Sequence, residues 1–324
     1  MADVAALSGV SQATVSRVVN GFHNVDPQTR AKVMDAINKL GYMPNRLAAS
    51  LRTMKTNVGL VVIPDLGNSF FVDIIRGIED VFFKRAYVIF VAETQNSLIK
   101  ERELIARIRQ QQVDFAIFLT ARVDGEFFKN LSNDVPLVLA CETAPGLSVL
   151  QVGIDNMKAA FEATQTLIQL GHRRIVHIAG SQYMQLSFER IRGYRLAMEQ
   201  HGLQTEVHQG DFTFASGYNF SQQFAPDSGV TAVFAANDEM ALGITKGLQQ
   251  RGIRVPEDVS IMGFDDIPMS IMTGGPSLST VSQPRWDIGR RAAELAVQEN
   301  PMTNQSNVEI LPHQIIMRET TRPI

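Results

Sequence analysis

From residue 58 onward, apolar runs the length of a β-strand alternate with longer segments whose apolar residues recur every three or four positions. The first run, Val58–Ile63, is unbroken and stops at Pro64 and Asp65. A helical pattern follows at Phe71–Arg85, then a strand at Val88–Ala92, a helix at Leu98–Gln111, and strands at Phe115–Leu119 and Leu137–Ala140. A second series repeats the plan. It has helices at Met157–Leu170, Phe188–His201 and Glu239–Gln250, and strands at Ile175–Ala179, Ala232–Ala235 and Val259–Gly263. Strands apolar on both faces, with helices between them, predict parallel sheets covered on each side. Two series predict two doubly wound lobes, and ligands of such sheets sit beyond the carboxyl ends of the strands. The cleft between the lobes is therefore the expected binding site.

The first sixty residues differ. Val4, Ala5, Leu7 and Ser8 fit a short helix ended by Gly9. Ser11 is a good N-cap for a second helix from Gln12 to about Val19, which Asn20 and Gly21 stop. Asp26 and Pro27 open a third, with Val33, Ile37 and Leu40 as its apolar stripe and Gly41 as its end. Helix, tight turn, helix, with Ala5, Gly9 and Val15 at these offsets, is the helix-turn-helix pattern. Its charge agrees. Residues 1–60 carry seven basic and three acidic residues, a charge of +4, against −7 for the remainder. A small basic head on a large acidic body fits a phosphate-binding module joined to something else.

With 324 residues and 45% hydrophobic composition, the chain has material for about two domains and a large core. Its one cysteine, Cys141, rules out an internal disulfide and a cysteine-based zinc site, and fits a reducing compartment. No apolar run approaches the roughly 20 residues of a membrane span, and the first residues lack a signal-peptide pattern. A cytoplasmic protein with no membrane partner is expected.

The run from Asp3 to Asn20 (DVAALSGVSQATVSRVVN), with Val25, Thr29, Ile37, Leu40 to Tyr42, Pro44, Asn45 and Leu51, resembles the DNA-binding head of the LacI/GalR family of bacterial repressors. The body resembles the effector-binding core of the same family, whose fold is that of periplasmic sugar-binding proteins. The matching stretches are Gly171 to Ile175 (GHRRI), Arg190 to Tyr194 (RIRGY), Gly210 to Phe212 (GDF), Ala236 to Gly243 (ANDEMALG), Gly263 to Ile267 (GFDDI) and Ser279 to Pro284 (STVSQP). The resemblance implies a small all-α helix-turn-helix head at residues 1–44, a hinge helix and linker at 45–57, and an α/β core of two doubly wound parallel-sheet lobes at 58–324. The first lobe would take residues 58–153 and 284–312, and the second 154–283 and 313–324. Family members carry a few more residues ahead of Asp3, so either the start is assigned late or the first helix lacks its usual cap.

By that resemblance the second helix enters the major groove and reads bases with Gln12, Ala13 and Arg17. Arginine can pair bidentately with guanine, glutamine with adenine, and an alanine methyl can touch a thymine methyl. Ser11, Thr14, Ser16, Asn20 and Thr29 are placed for phosphates, which position the head without reading sequence. Asn45, Ala48 and Leu51 belong to the hinge. A helix this short is marginal alone in water and should form only when two hinges meet over DNA. Leu51 matches the family's minor-groove wedge, which kinks the duplex.

For the core, the resemblance implies an effector held by Phe71 from the first lobe and by Arg190, Phe212, Asn237 and Asp265 from the second. The chemistry suits a nucleoside-like molecule. The two rings can stack on a base, and the carboxylate, guanidinium and amide can hold a ribose. A sugar is the alternative, because an aromatic face also packs against a pyranose. Cys141 stands where relatives often have Asp or Asn, and a thiol would not fix a hydroxyl there.

Nothing in the chain argues for catalysis, a cofactor or a metal. There is no G-x-G-x-x-G, P-loop or G-x-S-x-G motif, and the six histidines show no H-E-x-x-H spacing. The expected partners are double-stranded operator DNA, a small-molecule effector and a second copy of the chain. A non-regulatory ligand-binding protein and a nucleoside-processing enzyme are the rival classes.

Overall fold

The computed structural model describes residues 1–19, 21–22, 24–42, 55–110, 112–120, 135–144, 147, 149–271, 274–298 and 308–324. The chain divides into two compact units, Met1–Thr56 and Asn57–Ile324.

In the first unit, α1 (Ala2–Ser8), α2 (Gln12–Val19) and α3 (Pro27–Leu40) close over Val4, Ala5, Val15, Val18, Val33 and Ala36. The turn between α1 and α2 rests on Gly9, left-handed at φ 68°, a conformation glycine adopts without steric cost. No side chain caps α1. Asp26 caps α3, accepting from the Thr29 N–H at 3.0 Å, and Pro27 occupies the first turn, where its missing N–H costs nothing.

The second unit holds two parallel sheets. The strands of the first are β1 (Val58–Ile63), β2 (Val88–Glu93), β3 (Phe115–Phe118), β4 (Leu137–Ala140), β5 (Leu150–Gly153) and β11 (Val308–Ile310), in the order β11-β5-β4-β3-β1-β2. The second sheet runs β7-β6-β8-β9, from β6 (Ile175–Ala179), β7 (Glu206–Gln209), β8 (Ala232–Ala235) and β9 (Ser260–Met262). Both are parallel throughout. Between the strands run α4 (Phe70–Phe83), α5 (Leu98–Arg109), α6 (Asn156–Gln169), α7 (Gln185–Gln200), α8 (Phe214–Gln223) and α9 (Asp238–Gln250). A two-stranded antiparallel ribbon, β10 (Thr280–Ser282) with β12 (Gln314–Ile316), lies beside β9 through bridges at Ser279 and Ser282. Helix α10 (Arg285–Ala296) leaves the ribbon and packs on α4, β4 and β5. The chain thus passes repeatedly from one sheet to the other.

Strands β1, β3, β4, β6 and β8 are buried along almost their whole length, as the apolar runs predict. Strands β5 and β7, the ribbon, β11, α8 and α10 go beyond the elements read from sequence. Among the described residues, no helix is long and apolar enough to cross a membrane.

Candidate functional site

The head presents a polar face along α2. Gln12, Ala13 and Arg17 are exposed, Thr14 and Ser16 are half-buried, and Val15 and Val18 point into the core. Ser11 Oγ accepts from the Thr14 N–H at 3.2 Å and bonds the Thr14 hydroxyl at 3.0 Å, so it caps α2 as the sequence suggests. The Thr29 hydroxyl donates to Asp26 Oδ2 at 3.2 Å. Three of the residues expected at phosphates thus also hold helix ends in place. Asn20, Asn45, Ala48 and Leu51 lie outside the described residues.

In the body, one cavity of about 720 Å³, open solvent at its mouth included, lies beyond the carboxyl ends of the strands. Phe71, Arg190, Phe212, Asn237 and Asp265 all line it. They come from α4, α7, the loop after β7, the start of α9 and the loop after β9.

Arg190 is 3% exposed, and two of its nitrogens are held by hydrogen bonds within the protein. Nε donates to Asn156 Oδ1 at 3.0 Å, Nη1 donates to the Ala236 carbonyl, and Nη2 lies 3.7 Å from Asp265 Oδ1. The guanidinium sits 3.6 Å from the centroid of the Phe264 ring, a cation–π contact. Burial pulls its pKa below the ordinary value, against the pull of Asp265 and Glu142. Arg190 therefore shapes the floor and balances its carboxylates.

Asp265 is 5% exposed and left-handed at φ 114°. Its Oδ1 accepts from Gln283 Nε2 at 2.8 Å. Among the described residues no hydrogen bond reaches its other oxygen. Burial raises its pKa to about 6, although Arg190, Gln283 and Arg285 favour the charged form. Arg285 fixes the loop itself, donating to the carbonyls of Asp265 at 2.7 Å and of Asp266, and pairing with Asp73 of α4 at 3.1 Å. That guanidinium ties the loop after β9 to α4 of the first lobe.

Asn237 is the N-cap of α9. Its Oδ1 accepts from the Met240 N–H at 3.0 Å and its Nδ2 donates to the Phe212 carbonyl at 2.9 Å. It orients the loop that carries Phe212, whose ring lies flat against Gly180; a Cβ there would stand 1.9 Å from the ring. Phe71 meets Phe70 edge to face at 5.1 Å.

Sequence reasoning missed several lining residues: Asp65, Asn68, Thr120, Glu142, Asp211 and Gln283. Asp65, Thr120 and Glu142 each lie two positions beyond the ends of β1, β3 and β4, so the strand-end rule could have found them. Gln283 is 5% exposed; since its amide nitrogen faces Asp265, its Oε1 is the other end, buried without a hydrogen-bond partner. Asp211 is exposed at the mouth. Burial tends to raise it, but the Thr213 hydroxyl at 2.6 Å and N–H at 2.9 Å outweigh this and hold its pKa below the ordinary value. Burial, with Glu142 and Asp265 nearby, pushes the Cys141 thiol well above its ordinary pKa, leaving it neutral.

Two histidines have structural places. His177, buried and held down to about 3 by desolvation, donates from Nδ1 to the Phe234 carbonyl at 2.9 Å. His172 Nδ1 bonds Thr231 Oγ1 at 2.9 Å. Among the described residues, no group of three His, Cys, Asp or Glu is placed to hold a metal.

Comparison with known proteins gives two family matches: bacterial regulatory proteins of the lacI family over residues 1–45, and a periplasmic binding protein-like domain over residues 164–321. The chain is 38% identical over 327 residues to catabolite control protein A of Priestia megaterium, covering 99% of this chain and 98% of that one. It is 35% identical over 332 residues to the HTH-type transcriptional repressor CytR of Escherichia coli strain K12, covering 100% and 96%. Among solved structures, the transcriptional regulator CelR–cellobiose complex superposes with a TM-score of 0.74 at 34% identity, covering 98% of each chain. The lac repressor dimer bound to operator and the anti-inducer ONPF superposes with a TM-score of 0.89 at 24% identity over 99% of this chain and 98% of that one, a likeness of fold.

Proposed function

Because this chain belongs to the LacI family of bacterial DNA-binding transcriptional regulators, we propose that it is a cytoplasmic homodimeric repressor whose hold on a near-palindromic operator is set by a small molecule in the cleft. The observation that carries the DNA half is the exposed row Gln12, Ala13 and Arg17 on α2, backed by the buried Val15 and Val18. Arg17 is assigned to a guanine, Gln12 to an adenine and Ala13 to a thymine methyl. Ser11, Thr14, Ser16, Asn20 and Thr29 serve phosphates, and Asn45, Ala48 and Leu51 form a hinge that folds at the operator centre. The head is taken as residues 1–44, the hinge as 45–57 and the effector core as 58–324.

A dimer follows from the two-fold symmetry of such operators. The apolar edge at β2, with Phe90 58% exposed beside Val88 and Val91, offers a surface for a second copy. A change in lobe angle on binding would alter hinge spacing, with a coupling of about 1–3 kcal/mol.

The effector reading rests on one cavity that gathers aromatic faces and polar groups. We place a nucleoside first: Phe71 or Phe212 stacks on the base and Asp265 accepts from ribose hydroxyls. A sugar is the second reading, favoured by the likeness to a regulator solved with cellobiose. A regulator, not an enzyme, is the class that fits these relatives. The test is selection of operator sequences with the full chain, then gel shifts with nucleosides and sugars. Specific binding that a nucleoside or sugar changes is the expected result. Absence of any sequence preference overturns the repressor reading. Affinity that every such compound leaves unaltered overturns the effector reading.

A further inference from the structure

The cleft's hydrogen-bonding ledger is lopsided. Part of its donor set is engaged within the protein: Arg190 Nε on Asn156 and Nη1 on the Ala236 carbonyl, with Nη2 in an ion pair 3.7 Å from Asp265, the Asn237 amide on the Phe212 carbonyl, and the Gln283 amide on Asp265. What faces the cavity is chiefly acceptor and anion. Asp265 and Glu142 are buried in its floor, Asp65 and Asp211 are exposed at its rim, and Gln283 Oε1 is a buried carbonyl without a hydrogen-bond partner. Among the described residues, Arg190 is the one cation in the lining. Asn68 and Thr120 add neutral groups, suited to a hydroxyl or a ring oxygen.

Given the reading of this cavity as an effector site, on which the inference rests, we propose that it selects ligands presenting hydrogen-bond donors or a positive charge, and turns away phosphorylated or carboxylated forms of the same scaffold. The favoured classes are unphosphorylated nucleosides with an exocyclic amine, plain sugars and amino sugars. Two physical reasons combine. A buried acceptor left without a donor costs free energy that a donor-bearing ligand recovers. A phosphate entering the cleft would meet carboxylates at rim and floor, while the guanidinium is already matched to Asp265 and capped by Phe264. Partly excluded water strengthens that repulsion over its value in bulk solvent.

Matched pairs test this on the full chain: cytidine against its 5′-monophosphate and glucose against its 6-phosphate, with glucosamine as the cationic arm, each followed by thermal shift and calorimetric titration. Any scaffold that binds is expected to bind about tenfold or more tightly without its phosphate. The rim variant Asp65→Asn/Asp211→Asn changes two exposed positions and should narrow that gap. A phosphorylated member that binds as well as its partner overturns the proposal while leaving the effector site standing. A gap that the rim variant leaves untouched overturns its electrostatic basis. Silence from every member removes the effector-site reading itself, and the proposal with it.

Discussion

Ionising Asp265 in the folded chain places a charge where 5% of the residue meets solvent, and Arg190, Gln283 and Arg285 offset only part of that cost. Its folded pKa of about 6 lies above the unfolded value of 3.8. The folded state therefore holds its proton longer, and the stability linked to this group is full below pH 3.8 and lost as pH rises through about 6. Relative to Asp265→Asn, the wild-type protein should lose about 3 kcal/mol across that window, at 1.36 kcal/mol per unit. Thermal unfolding of both proteins at stepped pH reads this difference; parallel curves would show an unshifted carboxyl. At the other end of the chain, Arg17→Ala should weaken operator binding by about 1–3 kcal/mol and leave non-specific binding much less affected. Equal losses in gel shifts with operator and random duplex would make Arg17 a phosphate contact. Asp265 was legible as a carboxylate at a strand end, because an apolar run precedes it. The spending of Arg190 was not, because its partners Asn156 and Ala236 lie 34 and 46 residues away.

Arg285 is a strut between α4 and the loop after β9. The loop needs one: Asp265 and Asp266 are both left-handed, at φ 114° and 56°. Residues held in such regions persist only where surrounding bonds over-determine them. Asp73→Asn should therefore raise hydrogen exchange in residues 264–267 of the other lobe, and Arg285→Met should raise it further. If Asp73→Asn loosens only α4, the two lobes are not joined through this contact. The elements themselves were legible where burial makes them uniformly apolar. Strand β7 was not, since Glu206, His208 and Gln209 give a sheet-edge strand with neither an apolar run nor a clear alternation. Strand β5 has four residues, and one is Gln151, whose amide is buried on the backbone of Ala144 and Leu147. Helix α10 hides behind Arg290, Arg291 and Glu294, whose charges pair along its surface and with Glu309.

For the whole molecule, charge and surface divide the labour. The +4 of the first sixty residues against the −7 of the rest directs nucleic acid to the head and keeps it off the body. Operator affinity should then fall with salt in proportion to the phosphates the head neutralises. On the proposed dimer reading the body's contribution is a second copy: Phe90→Glu puts a charge on the exposed β2 edge and should shift the protein to monomers in sedimentation, with operator binding weakened in step. A dimer unchanged by that substitution would place the interface elsewhere.

The last stretch of chain has a consequence for the order of synthesis. Strand β11 supplies an edge of the first sheet beside β5, whereas β12 pairs with β10, the Ile261 N–H donates to the Thr320 carbonyl, and the Ile324 N–H donates to the Leu170 carbonyl. The first sheet lacks its edge strand β11, and the ribbon beside the second lacks β12, until residues 308–324 have left the ribosome. The helical head, whose contacts lie within its own first forty-odd residues, is under no such delay. A nascent chain can thus carry a formed DNA-reading head while the first sheet and the ribbon wait for their final strands. A stall or truncation near the end would leave the first sheet's edge and the ribbon unfinished together.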